Sequence, residues 1–166
     1  MIMDLSRIFR RGALGLAFLA YLLLAPLAHA QWPYSVPTTP NAQRNALGQL
    51  RSQITFFQNS AMNAPNYREQ GYDHVNAAFQ ALRGSYGGLK STLNPQQLSY
   101  GANAIAELDA GLDIIQEAFA NFQNDVSAGR NAQIALRDMC QVLRQGTQLW
   151  SDQLTKVVSQ LRIGAG

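Results

Sequence analysis

The feature that most constrains this chain's fold is an apolar repeat with alternating spacings of three and four residues, which recurs in four successive segments. In the third segment the repeat runs without a break through Leu98, Gly101, Ile105, Leu108, Leu112, Ile115, Phe119, Phe122 and Val126. Such spacing places the side chains on one stripe of an α-helix. Four stripes of this kind predict four amphipathic helices that pack nearly parallel or antiparallel.

The helix boundaries carry their own signals. Thr39-Pro40 and Asn94-Pro95 each place a capping side chain before a proline at the first helical position. Gly129 stands where a helix end favours glycine. Short connections force helices adjacent in sequence to run antiparallel, so we predict an all-α, antiparallel, up-down-up-down four-helix bundle. Within the bundle domain, 40–163, the expected helices cover about residues 40–62, 65–93, 95–128 and 130–163.

Three glycines crowd into the second half of the second expected helix. Gly84, Gly87 and Gly88 each cost about 1 kcal/mol relative to alanine inside a helix. Two interpretations stay open. The glycines either allow a neighbouring helix to approach closely, or they mark a break in the helix.

The first thirty residues have the layout of a cleaved secretory signal peptide. Arg7, Arg10 and Arg11 precede an apolar run, and Ala28-His29-Ala30 forms a small-residue cleavage site. The run is shorter than the roughly 20 residues that cross a bilayer, so we expect no stable membrane span after cleavage. Cleavage after Ala30 removes three arginines and one aspartate, which lowers the formal net charge from +3 to +1. The basic character that would favour nucleic acid is largely lost with the leader.

Residues 31–39 are expected to form an extended arm ahead of the first helix. Pro33 and Pro37 favour extended backbone in this segment. Trp32 and Tyr34 are the candidate contact residues of the arm. They could pack on the helical domain or on a partner.

Enzyme signatures are absent from the sequence after the leader. This part of the chain holds one histidine, His74, and one cysteine, Cys140. It therefore lacks the ligand set of a zinc site, the C-x-x-C-H of covalent haem and an intramolecular disulfide. We expect a non-enzymatic protein without a cofactor.

One alternative gives the chain a ligand. If the helices form the expected bundle, His74 and Cys140 lie at nearly the same height on the second and fourth helices, and Met139 lies beside Cys140. Bundles can hold b-type haem between histidine and methionine, so these three residues are the candidate cofactor ligands. The simpler interpretation makes Cys140 a small buried apolar residue and His74 a half-exposed residue at the edge of the bundle.

Carboxylates recur along the third expected helix. Asp109, Asp113 and Glu117 are spaced four residues apart. They form either a solvated face that pairs with basic residues of a neighbouring helix, or a recognition stripe for a cationic partner or divalent cation.

These observations predict an exported, periplasmic or secreted helical bundle that serves as a binding or structural module of the cell envelope. It would act through contacts on a helix face, with an envelope protein or with itself. Only 14% of the residues are charged, which gives little repulsion between copies. The runner-up function is a small haem- or ligand-carrying bundle with His74 as ligand.

Overall fold

The structure is a computed structural model that describes residues 40–165. The predicted signal peptide and N-terminal arm lie outside the described residues. All regular structure between residues 40 and 165 is helical, which confirms the all-α prediction. Five α-helices and one 3-10 helix follow one another as α1 (Pro40–Asn63), the 3-10 helix (Ala64–Gln70), α2 (Gly71–Ser91), α3 (Pro95–Tyr100), α4 (Ala102–Ser127) and α5 (Ala132–Gln160).

Side-chain caps account for two of the helix starts. The Asn94 side chain accepts a hydrogen bond from the Gln97 backbone N–H, and the Gln97 side chain accepts one from the Asn94 N–H. This reciprocal capping box, with Pro95 at the first helical position, confirms the predicted start there. The Asn131 side chain caps α5 without a reciprocal bond, by accepting hydrogen bonds from the Gln133 and Ile134 backbone N–H groups.

The second expected helix begins later than predicted. Its first turns are the 3-10 helix, and α2 begins at Gly71. A side chain at position 71 would place its Cβ 2.2 Å from the carbonyl oxygen of Ala64 and 2.9 Å from Leu136. The chain thus approaches itself closely at Gly71, the residue at which the 3-10 helix gives way to α2.

The third expected helix, 95–128, is interrupted at Gly101. Gly101 has φ −90° and ψ 5°, and it separates α3 from α4. A Cβ on Gly101 would lie 2.5 Å from Leu161, which belongs to the segment after α5. A residue sixty positions away in the sequence therefore packs on the glycine at which the helix is interrupted.

The glycine cluster of α2 interrupts nothing. The helix continues through Gly84, Gly87 and Gly88, so the possible break does not occur. All three glycines are exposed, and a Cβ added to any of them would meet no atom within 4 Å. Close packing within the described part of the chain does not explain them either.

Helix α1 lies between α2 and α5 and runs antiparallel to both. Near the start of α1, the Gln43 side chain donates a hydrogen bond to the Thr92 carbonyl just beyond the end of α2. Further along, the rings of Phe57 and Phe79 lie 5.4 Å apart. On the other side of α1, Arg44 binds the carbonyl oxygen of Gly164, which follows α5.

Helix α4 contacts both α2 and α5. The Lys90 ammonium of α2 lies 2.7 Å from the Asp109 carboxylate, and the rings of Tyr72 and Phe122 stack at 4.9 Å, so α2 and α4 are antiparallel. Helices α4 and α5 pack through Trp150. The interior between the helices is filled by large, fully buried side chains, which include Leu50, Phe57, Phe79, Leu82, Leu143 and Trp150.

Candidate functional site

His74 lies on the surface, between two exposed aromatic side chains. Its ring centroid is 6.2 Å from that of Phe56 on α1 and 5.0 Å from that of Tyr67 in the 3-10 helix. Phe56 is 47% exposed and Tyr67 is 48% exposed. The three rings form a small aromatic patch at the end of the molecule where α2 begins.

Met139 and Cys140 lie in the interior instead. Both side chains, on α5, are buried. Burial raises the pKa of the Cys140 thiol to about 11, although the nearby Arg144 charge acts in the opposite direction. The thiol is therefore protonated at neutral pH and is a poor nucleophile. The His74 ring contacts Phe56 and Tyr67, whereas Met139 and Cys140 belong to the packed core.

Two of the three candidate carboxylates have basic partners in the same chain. Asp109 lies 2.7 Å from the Lys90 ammonium, and Asp113 lies 3.7 Å from the Arg83 guanidinium. Glu117 is exposed. Pairs at the surface contribute at most about 1 kcal/mol, so they neutralise the face between α2 and α4 more than they stabilise it. Among residues 40–165, no three His, Cys, Asp or Glu side chains meet as a possible metal site.

The two aromatic residues proposed for the arm, Trp32 and Tyr34, lie outside the described residues. Their contacts therefore stay a prediction from the sequence.

A buried glutamine pair went unrecognised in the sequence. Gln43 donates a hydrogen bond of 2.8 Å to the Gln97 side-chain oxygen, and Gln97 donates one of 3.0 Å to the Leu161 carbonyl. Gln43 is 0% exposed and Gln97 is 1% exposed. The capping-box spacing of Asn94 and Gln97 was a signal for an ordered glutamine, but nothing local pointed to Gln43.

The outward face of α2 carries an uncharged row of small residues. They are exposed, and their spacings are four, three, four and three residues, which places them on one stripe. The charged side chains Arg83 and Lys90 point to α4 instead. We call this row the α2 small-residue face; it consists of Ala77, Ala81, Gly84, Gly88 and Ser91.

No helix within residues 40–165 combines the length and the apolar character needed to span a membrane. Comparisons with protein-family models, with curated proteins and with solved structures found no match to this chain.

Proposed function

We propose that the chain is an exported, non-enzymatic protein of the cell envelope that acts through protein contacts on a helix face. The α2 small-residue face carries this proposal. Helix surfaces that pack on another helix at short distance require small side chains, and a charged face resists such packing. The two glycines of this face, Gly84 and Gly88, have room for a Cβ in the isolated chain, so a partner that needs the space would explain why glycine stands there.

The partner is a second copy of the chain or another envelope protein. Either would place a helix along Ala77, Ala81, Gly84, Gly88 and Ser91. The architecture we infer for the module is the antiparallel four-helix bundle, with α3 and α4 together as its third helix. The antiparallel contacts of α1, α2, α4 and α5 support that inference.

Affinity capture from the native envelope tests the function. The bait is the full chain, compared with the double variant Gly84→Glu, Gly88→Glu, and captured proteins are identified by mass spectrometry. The variant should fold, because both positions are exposed and glutamate favours helix more than glycine. It should lose the partner or the second copy. The matched control, Gln141→Glu on the exposed side of α5, should keep it.

Retention of every captured protein by the double variant would contradict the role of this face.

A second set of variants tests the absence of catalysis. Alanine substitution at His74, Cys140 or Glu117, one at a time, should leave the biological role of the protein almost intact. Complete loss of the biological role from one of them, with folding preserved, would refute the proposal.

Export is tested separately by intact mass and cell fractionation. We expect a product that begins at Gln31 and is found in the periplasm or the medium. A cell-associated product with the leader intact would overturn the export proposal.

The haem- or ligand-carrying alternative stays a prediction with its own measurement. Protein purified from its native envelope should show an absorption band near 400 nm (approximate region for haem iron) if His74 binds haem. A flat spectrum there would reject the haem version.

A further inference from the structure

Two helices end in the same backbone motif but with different residues at its key position. After α4, Gly129 has φ +84°. After α5, Arg162 has φ +50°, its N–H donates to the Ser159 carbonyl, and the N–H of Ile163 donates to the Val158 carbonyl. These bonds define a Schellman motif, in which the left-handed position normally holds glycine.

Arg162 is therefore a strained residue at the end of α5. A side chain in the left-handed region brings its Cβ close to the following carbonyl oxygen, and glycine avoids that cost. Among residues 40–165 Arg162 is the one residue other than glycine with positive φ. Such outliers persist where the surrounding structure holds them, and they concentrate at switching or binding segments.

The segment that follows Arg162 is held by side chains from elsewhere in the chain. The Gly164 N–H donates to the Gln43 side-chain oxygen at 2.9 Å, and Arg44 donates to the Gly164 carbonyl at 2.8 Å. Gln97 holds the Leu161 carbonyl at 3.0 Å. We call residues 161–165 the C-terminal strap.

The strap covers a small apolar cavity. Leu161 and Ile163 of the strap are buried and form part of the wall. The space is about 10 Å³, about the size of one water molecule, and its lining offers water almost no polar partner. The rest of the apolar wall includes Leu89, Leu93, Ile105 and Leu154. Removal of two strap side chains would turn this void into an apolar groove between the helices.

We propose that the C-terminal strap is a releasable lid, and that its opening exposes a binding site for one uncharged alkyl or aromatic group. The bound group takes the place of Leu161 and Ile163 against the same apolar wall. Lys90 lines the cavity, but its ammonium already pairs with Asp109, so the site favours an uncharged ligand. The site lies where α2 ends, whereas His74 lies where α2 begins, and the proposal is independent of the helix-face function.

Fluorescence titration with N-phenyl-1-naphthylamine, an uncharged apolar probe, tests the proposal on the full chain. Arg162→Gly relieves the strain of the closed strap. It should weaken probe binding about fivefold, because stabilising the closed state by about 1 kcal/mol lowers the open fraction by that factor. Gln43→Ala removes a bond that holds the strap and should strengthen binding several-fold.

Gly129→Ala is the matched control. It strains the same motif at the end of α4, just before α5 begins, whereas the strap follows the end of α5. It should leave probe affinity unchanged. Equal affinity of Arg162→Gly and the unmodified chain would show that the strap does not control access. Stronger binding by Gly129→Ala would show that the probe reports general loosening, which also overturns the proposal. Arg162→Gly gives the decisive comparison even if Gln43→Ala fails to fold. In hydrogen exchange, the Ile163 amide should open less often in Arg162→Gly than in the unmodified chain.

Discussion

Trp150 lies against Gly111, and its indole N–H donates a hydrogen bond of 2.8 Å to the carbonyl oxygen of Leu108 one turn earlier on α4. A Cβ on Gly111 would lie 2.8 Å from Cδ1 of the indole ring. The largest buried side chain of the core therefore fits only because the facing helix position has no side chain. The contact fixes the distance between α4 and α5.

Substitution Gly111→Ala should destabilise the chain by about 1–3 kcal/mol, because the added methyl group overpacks a rigid ring whose hydrogen bond limits its movement. Urea unfolding measures the change. Gly48→Ala is the control, since Gly48 lies in α1 with nothing within 4 Å of an added Cβ. The control should be neutral or stabilising. Equal stability of Gly111→Ala and the unmodified chain would show that the α4–α5 contact adjusts easily.

Alanine substitution at the exposed glycines of α2 should stabilise the chain, in contrast to Gly111→Ala. Gly84→Ala and Gly88→Ala should each raise the free energy of unfolding by about 0.5–1 kcal/mol, because alanine lowers the entropy cost of helix formation and meets no neighbour. Thermal unfolding of each single variant measures the gain. A loss of stability in the isolated chain would mean that the backbone at these positions departs from ordinary helix.

Local sequence signals predicted a large part of this fold. The three-four repeat predicted the helical segments, and the Asn94-Pro95 signal predicted a helix start, because both depend on residues within one or two turns. The close packing of Leu161 on Gly101, where the third expected helix is interrupted, could not be predicted, since the two residues lie far apart in the sequence. For the same reason the burial of Gln97 could not be predicted, since its partners Gln43 and Leu161 lie far from it in the sequence.

The candidate site residues show the same limit. The sequence placed His74 at an edge and Cys140 in the core, as the structure has them. It could not identify the partners of Asp109 and Asp113, because those lie on α2 and depend on how two helices are rotated against each other. The α2 small-residue face was visible in the sequence only as an unexplained group of glycines. Its exposure follows from the packing of the opposite side of α2, which fills the core.

The buried glutamine pair should be a large source of stability for its size. Gln97→Ala removes a capping bond and leaves the Leu161 carbonyl and one of the two Gln43 amide N–H groups without a partner, while the other N–H keeps the Thr92 carbonyl. We expect a loss of about 2–4 kcal/mol, since each unpaired buried polar group costs about 1–3 kcal/mol. Urea unfolding is the measurement. Gln96→Ala, one residue earlier and exposed, should change stability by less than about 0.5 kcal/mol. Equal effects of the two substitutions would contradict the importance of the pair.

Cys140 should make stability depend on pH in the alkaline range. Burial raises the pKa of its thiol from 9.0 to about 11 in the folded chain, so the folded state holds a proton that the unfolded state has lost. The stabilisation is complete below about pH 9 and is lost as pH rises through about 11. The free energy of unfolding, measured in urea, should therefore fall by about 2–3 kcal/mol more between pH 8 and pH 11 in the unmodified chain than in Cys140→Ala. The difference between the two proteins isolates the thiol, because Tyr86, whose pKa is also raised by burial, is present in both. Parallel pH profiles for the two proteins would show that the thiol ionises equally well in the folded and unfolded states.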